Sequence, residues 1–353
     1  MSEVNEPVGT QVAAPEASNG KHPVVAVKTG SVETKPSPGD DTERLKKRIQ
    51  RHYDVTSDQF LKVWGEHIHH GYFKTPEDSN DQAQLNQVIQ LAESSGVKAG
   101  SRVLDVGCGI GGTARYLARE RGCKVTAITN SQRQVEIARE LTAKEVATLK
   151  TTTTTTTPSA EPAALSTSIN SSTDDFQQYP GENAGAVRVL HLDVAQMRES
   201  LALEKFDVVW ISEVVFHLHD RQLFFDSAFS VLESGGCLVI ADIFRTAADP
   251  AKASKAVQKE LASIRRNHLC PELGTVDEYN AMASQAGFRP RAEALDITKG
   301  VTKTWEVPLP LESLLFIIFR GRDTIGYWRG MRSMKRAYAH GTAAYVVLCY
   351  EKP

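Results

Sequence analysis

The sequence predicts an α/β fold, a doubly wound and mostly parallel sheet, on three observations. From about residue 101 onward, strand-length apolar runs alternate with helical patterns, as in successive βαβ units. The run Val103-Leu104-Asp105-Val106-Gly107-Cys108-Gly109-Ile110-Gly111-Gly112 carries an apolar strand into a glycine turn and then a helix from about Thr113. Polar residues suited to holding a ligand fall at the expected carboxyl ends of strands, where open α/β sheets bind their ligands.

Taken in order, residues 1–40 mix Pro, Gly, Ser, Thr and charge without periodicity, which predicts a disordered tail. A helical lid is expected over 41–100. Asp41 to Arg51 is its charged beginning, Tyr53 to Phe73 is apolar and aromatic, and Asp81 to Ser94 has helical spacing closed by Gly96 and Gly100. The core, 101–353, begins with strand 102–106, helix 113–121, strand 124–128 and helix 131–147. A low-complexity insertion follows at 150–186, with a threonine homopolymer at 151–157. Strands 187–192 and 206–212, helix 220–232 and strand 237–243 complete the alternation. Two helices, 250–267 and 275–286, lead to a strand near 288–296. A helical cap spans 299–341, and Ala343 to Tyr350 forms a final strand.

Composition narrows the function. A chain of 353 residues with 41% hydrophobic content holds a real core, and a net charge of −2 disfavours a nucleic-acid partner. The five cysteines are scattered and odd in number; they predict neither a disulfide framework nor a metal site. Met1 to Thr10 lacks the apolar stretch of a secretory signal. The apolar run around Leu314 to Phe319 is far short of the ~20 residues a spanning helix needs. A cytoplasmic setting without a transmembrane segment is expected.

Gly107, Gly109 and Gly112 fit the dinucleotide spacing G-x-G-x-x-G. Two details argue against a nicotinamide. Asp105 stands near the strand tip, where a carboxylate can meet a ligand ammonium. The next strand ends in Thr129-Asn130, without the acid that grips a nicotinamide ribose. S-adenosylmethionine, an amino-acid-bearing nucleoside, suits this pattern. Asp193 and Ser212-Glu213 stand at further strand ends. Each of these residues alone is equally well a cap or turn residue, but four in register favour a ligand.

These stretches resemble the class I S-adenosylmethionine-dependent methyltransferases, in the branch holding gamma-tocopherol and sterol methyltransferases. The glycine run resembles motif I. Ala127 to Gln134 is similar to G-I-T-L-S-x-x-Q with Asn130 in place of Leu, and His191-Leu192-Asp193-Val194 fits the acidic turn. Phe206 to Asp220 is similar to F-D-x-V-W-S-x-E-S-x-x-H-M-x-D, with Ser212 one place later than the family serine. Tyr53-Asp54 with Trp64 to Phe73 resembles the lid, and Met334 to Pro353 the tocopherol-type ending. The likeness covers about 50–353, save the insertion, and implies a seven-stranded Rossmann-like sheet with a helical lid and cap.

By that resemblance Asp105, Gly107 and Gly109 hold the methionine part of S-adenosylmethionine. Thr129, Ser131 and Gln134 line the ribose, Asp193 and Val194 the adenine, and Ser212 lies beside them. Tyr53, Trp64, His70, Tyr72 and Phe73 close over the cofactor and acceptor. Methyl transfer from a sulfonium needs chiefly alignment, which can contribute about 7–11 kcal/mol. His217 is the candidate base because its ordinary pKa is near neutrality; the alternative is a histidine that only caps or packs. Glu213 either meets substrate or serves as a strand-end group. Trp305, Phe316, Phe319, Tyr327, Trp328 and Met331 offer either an apolar pocket or cap core. The expected acceptor is a hydrophobic small molecule methylated at C, O or N, in specialised metabolism. Three alternatives are a cyclopropane-fatty-acid-synthase-like lipid enzyme, a nicotinamide-dependent oxidoreductase and a non-catalytic cofactor-binding protein.

Overall fold

A computed structural model describes residues 38–154, 175–181, 184–306 and 322–353. The expected tail lies outside these residues except for 38–40, which already belong to a helix. Most of the low-complexity insertion lies outside them too.

Five parallel strands form the centre of the sheet: β1 (Arg102–Val106), β2 (Lys124–Thr129), β4 (Ala186–His191), β5 (Phe206–Ser212) and β6 (Leu232–Arg245). The long strand β9 (Ala343–Glu351) runs antiparallel to β6. Three two-residue strands, β3 (Gln177–Gln178), β7 (Arg289–Pro290) and β8 (Leu295–Asp296), trim the edges. The order among the described residues is β3-β4-β2-β1-β5-β6-β9-β7, with β8 also on β9. Of the seven strands expected, six are full strands; the run near 288–296 is two short bridges, because Pro290 has no N–H to continue a ladder.

The sheet is buried on both faces, so its strands read as near-continuous apolar runs. Successive residues take opposite faces. Val103, Val125, Ala127, Trp210 and Val239 pack under α2 (Asn80–Ser95), α3 (Gly112–Arg121) and α4 (Gln132–Thr154). Leu104, Ile128, Val209, Ile211 and Leu238 pack under α6 (Arg221–Val231) and α8 (Val276–Ala286). Between these, α5 (Met197–Ser200) is one turn and α7 (Lys255–Asn267) precedes α8. A short α9 (Thr298–Val301) leads toward α10 (Arg322–Ala339), which packs on α7. The long helix α1 (Pro38–Trp64) lies against α4.

Two boundaries differ from expectation for local reasons. Helix α4 runs on into the threonine tract as far as Thr154. There Thr148, Thr151 and Thr152 each donate a hydroxyl to the carbonyl four residues earlier, at 2.9–3.0 Å, the local bond a threonine makes when it sits within a helix. Helix α7 begins at Lys255, where the Ser254 hydroxyl accepts from Val257 N–H. Strand order reverses between β1 and β5, and a crevice at such a switch point is where this architecture binds ligands.

Candidate active site

The turn after β1 is a backbone cradle. Gly107, Gly109 and Gly111 all have left-handed φ, from +55° to +79°. A Cβ on Gly107 would come within 2.3 Å of Val214, so only glycine fits. A Cβ on Gly109 would meet nothing within 4 Å: open space faces that backbone. Gly112, first in α3, lies under the lid, where a Cβ would come 2.1 Å from the Glu66 carbonyl oxygen.

Asp105 is only 3% exposed, and its Oδ2 has no hydrogen-bond partner. Burial alone pushes its carboxyl up to about 7. A buried carboxylate without a counter-charge beside an open glycine backbone is what a ligand ammonium would complete. The residues therefore fit the amino-acid end of S-adenosylmethionine.

The second-strand residues are engaged with one another. The Thr129 hydroxyl donates to Gln134 Oε1 at 2.7 Å, and Ser131 Oγ accepts from Gln134 N–H at 3.2 Å. Ser131 Oγ donates to Asp54 Oδ1 of α1 at 2.6 Å. Together they cap α4 and fasten α1 onto it. Asp193 Oδ1 accepts from Ala195 N–H at 2.8 Å, and Oδ2 pairs with Lys46 of α1 at 2.6 Å; Val194 packs on the sheet core. Ser212 closes β5.

A cavity of about 670 Å³ opens between α1, the lid loop, the end of β5 and the start of the cap. Phe60, Trp64, Ile68, Phe216 and Trp305 give it apolar walls. Trp305 stands edge-on to both Trp64 and His70.

Glu213 lies in the cavity floor with φ +57°. Its Oε1 accepts from the His70 main-chain N–H at 2.7 Å and from the Tyr345 hydroxyl at 2.8 Å, and lies 2.9 Å from His70 Nδ1. Burial alone would raise this carboxyl; the His70 charge and hydrogen bonds overcome it and hold it down, at about 2. His70 Nε2 reaches the Tyr338 hydroxyl at 3.3 Å.

His217 lies on a 3-10 turn, Val215–His217. Its Nδ1 is 3.1 Å from the Leu269 carbonyl oxygen. A carbonyl only accepts, so Nδ1 carries the proton and Nε2 keeps its lone pair. Nε2 then accepts from the Tyr53 hydroxyl at 3.1 Å. Burial holds the imidazole neutral, lowering its pKa to about 4, and raises that of the Tyr53 phenol. Leu269 has φ +49°. Among the described residues, Glu213 and Leu269 are the two non-glycine residues with left-handed φ, and both line this cavity.

The fold brings Tyr53, Trp64, His70, Glu213 and His217 together around the cavity. Tyr72 and Phe73 lie elsewhere: Tyr72 packs against Gly300, and Phe73 lies under the Lys303 ammonium. Phe316 and Phe319 are outside the described residues. Sequence reasoning missed three groups. Asp242, fully buried in β6, accepts from Phe216 N–H at 2.8 Å and so aims the His217 turn; burial pushes its carboxyl up to about 8. It stands at a strand's carboxyl end, the same signal that singled out Asp105. Asp54 stood only within the lid-like Tyr53-Asp54 pair, with no role assigned to it, and Tyr345 carried no signal beyond its residue type.

The chain is similar to known methyltransferases. The family pattern described as Mycolic acid cyclopropane synthetase matches residues 40–156, and that described as Methyltransferase domain matches 163–240. The 27-O-demethylrifamycin SV methyltransferase of Amycolatopsis mediterranei is 27% identical over 77% of this chain and 81% of its own. The 2-methyl-6-phytyl-1,4-hydroquinone methyltransferase of Synechocystis is 29% identical over 75% and 70%. The chloroplastic tocopherol O-methyltransferase of Arabidopsis thaliana is 23% identical over 88% and 84%. Among solved structures, the mycolic acid cyclopropane synthase CmaA1 complexed with SAH and CTAB superposes with a TM-score of 0.64 at 19% identity, over 87% of this chain and 98% of its own.

Proposed function

The chain is a class I S-adenosylmethionine-dependent methyltransferase, and on that premise we propose that it methylates a hydroxyl of a hydrophobic small molecule seated in the cavity. When bound, S-adenosylmethionine supplies a methyl group already activated on a sulfonium. Asp105 and the open backbone at Gly109 would hold its amino-acid end.

The observation that carries the reading is the His217 imidazole in the cavity lining: neutral, locked in one tautomer, its Nε2 lone pair accepting from the Tyr53 hydroxyl. A hydroxyl nucleophile must lose a proton as it attacks, and a positioned base is worth about 100- to 10,000-fold. The acceptor hydroxyl takes the place of the Tyr53 hydroxyl on Nε2. Glu213 has a different task. With its acceptor oxygen already committed to His70 and Tyr345, it ties the lid to the floor and shapes the cavity around the nucleophile. The aromatic walls exclude water and bind the apolar body of the acceptor. Similarity to proteins named 27-O-demethylrifamycin SV methyltransferase and tocopherol O-methyltransferase supports an oxygen acceptor. All five cysteines are free thiols, which supports a cytoplasmic setting.

The test is His217→Ala beside Tyr53→Phe, assayed with a panel of phenols and alcohols of graded hydrophobicity. His217→Ala should lose about 100- to 10,000-fold in kcat while S-adenosylmethionine binds as before. Tyr53→Phe should keep kcat within severalfold. Full activity in His217→Ala, or methylation confined to carbon, would overturn the oxygen-acceptor reading.

A further inference from the structure

The cavity has an uneven charge. Four arginines line it: Arg48 and Arg51 on α1, Arg266 near the end of α7, and Arg329 on α10. All four are exposed, so they form the mouth, whereas Glu213 and His70 form a buried floor. Six arginines elsewhere have carboxylate partners, among them Arg102 with Asp207, Arg115 with Glu66, Arg133 with Asp58 and Arg245 with Glu278; other unpaired arginines, such as Arg198 and Arg289, do not line this cavity. Among the described residues no carboxylate pairs with any of the four at the mouth. Among the described residues Glu213 is the one carboxylate in the lining, and its Oε1 is already in contact with His70 and Tyr345.

Arg48 and Arg51 are three residues apart, hence neighbours on one helix face, where like charges repel. Arg266 and Arg329 add two more cations from the facing helices. In a chain of net charge −2, gathering four unpaired guanidinium groups around one apolar opening creates a local positive field. Guanidinium forks match the planar or tetrahedral oxygens of carboxylate and phosphate.

We propose that the acceptor is an amphiphile whose anionic end, a carboxylate or phosphate, docks on Arg48, Arg51, Arg266 and Arg329 while its apolar body fills the cavity toward His217. This rests on the methyltransferase reading above and adds the acceptor's charge. The anchored end sets how deeply the body reaches, so it also sets which atom meets Nε2 of His217.

The test is calorimetric titration of the full chain with three probes of equal chain length, octyl phosphate, octanoate and octanol, at low and high salt. The two anions should bind about tenfold tighter than octanol, and the advantage should shrink with salt. Arg266→Gln with Arg329→Gln should abolish the preference while octanol binds unchanged. Arg198→Gln, an exposed charge outside the cavity, should leave the preference intact. Equal binding of all three probes, or a preference untouched by the double substitution, would overturn the proposal. So would inorganic phosphate binding as tightly as octyl phosphate, since the anion and the apolar body would then be uncoupled. Binding to phosphatidylglycerol vesicles without any preference among the octyl probes would make the mouth a membrane-facing surface instead. Parallel titration with S-adenosylmethionine separates the two readings. Its failure to bind sinks the methyltransferase reading, whereas its binding without an anion preference sinks only this one.

Discussion

The glycine cradle and the cavity are linked through neighbouring residues, Val214 against Gly107 and Glu213 in the cavity lining, yet they are built in different ways. The cradle comes from one contiguous turn, and its left-handed positions are all glycine, where that conformation costs little. The cavity is assembled across the chain. Tyr53 meets His217 over a separation of 164 residues, His70 meets Glu213 over 143, and Tyr345 meets Glu213 over 132. Its left-handed residues are a glutamate and a leucine, each held at a cost of about 1–3 kcal/mol by the surrounding structure. The cradle leaves one buried carboxylate without a partner; in the cavity floor the Glu213 carboxylate is engaged through its Oε1. The difference teaches that a recognition element for a fixed ligand can be local, whereas an acceptor pocket needs the whole fold to close.

The largest effect that sharpens this contrast concerns Asp105. Asp105→Asn should weaken S-adenosylmethionine binding about 100-fold, the scale of removing one partner of a buried charge pair. The ligand-free protein should melt no lower, because the lost carboxylate had no partner to lose. A fall in both affinity and Tm would mean that Asp105 serves the fold rather than a ligand.

A second effect follows from the raised pKa. With the Asp105 carboxyl near 7 in the free protein, pairing with an ammonium requires it to ionise. Binding should therefore release close to one proton per site at pH 6 and progressively less toward pH 8. Affinity should fall about tenfold per pH unit below 7. Calorimetry in two buffers of different ionisation enthalpy reads the proton count directly; no proton release at pH 6 would refute the pairing.

The glycines separate fold from ligand. Gly107→Ala collides with Val214 and should destabilise the free protein by about 1–3 kcal/mol. Gly109→Ala meets open space, so it should lose only about 1 kcal/mol to backbone strain while still obstructing the cofactor. Thermal melts with and without S-adenosylmethionine distinguish them, and equal melts for the two variants would contradict the different surroundings of Gly107 and Gly109.

The smallest effect tests the second strand. Ser131→Ala removes a helix cap and should lower stability by about 1 kcal/mol. If these residues mainly fasten α1 to α4, cofactor affinity should change by no more than severalfold; a larger loss would restore Ser131 as a direct ribose contact.

Much of the fold was legible because its determinants are local and periodic. Strands buried on both faces show as uninterrupted apolar runs, and β1, β5 and α8 lie within a residue of expectation. The threonine tract misled at its start, because α4 continues into it as far as Thr154 although composition argues against a helix there. In the site, the glycine run and Asp105 stood out since a turn and a strand end are properties of neighbouring residues. His217 and Glu213 were also visible as candidates, but their tasks were not.

What the sequence determined by itself is therefore the alternating sheet, the glycine turn and the carboxylate beside it, all set by residues within a few positions of one another. The tertiary structure alone decided that Asp242 aims the His217 turn, that Leu269 selects its tautomer, and that four distant arginines ring one opening. Carboxylates and arginines look alike along a chain; which are paired, buried or left open depends on contacts made across more than a hundred residues, and those exist only once the sheet has closed.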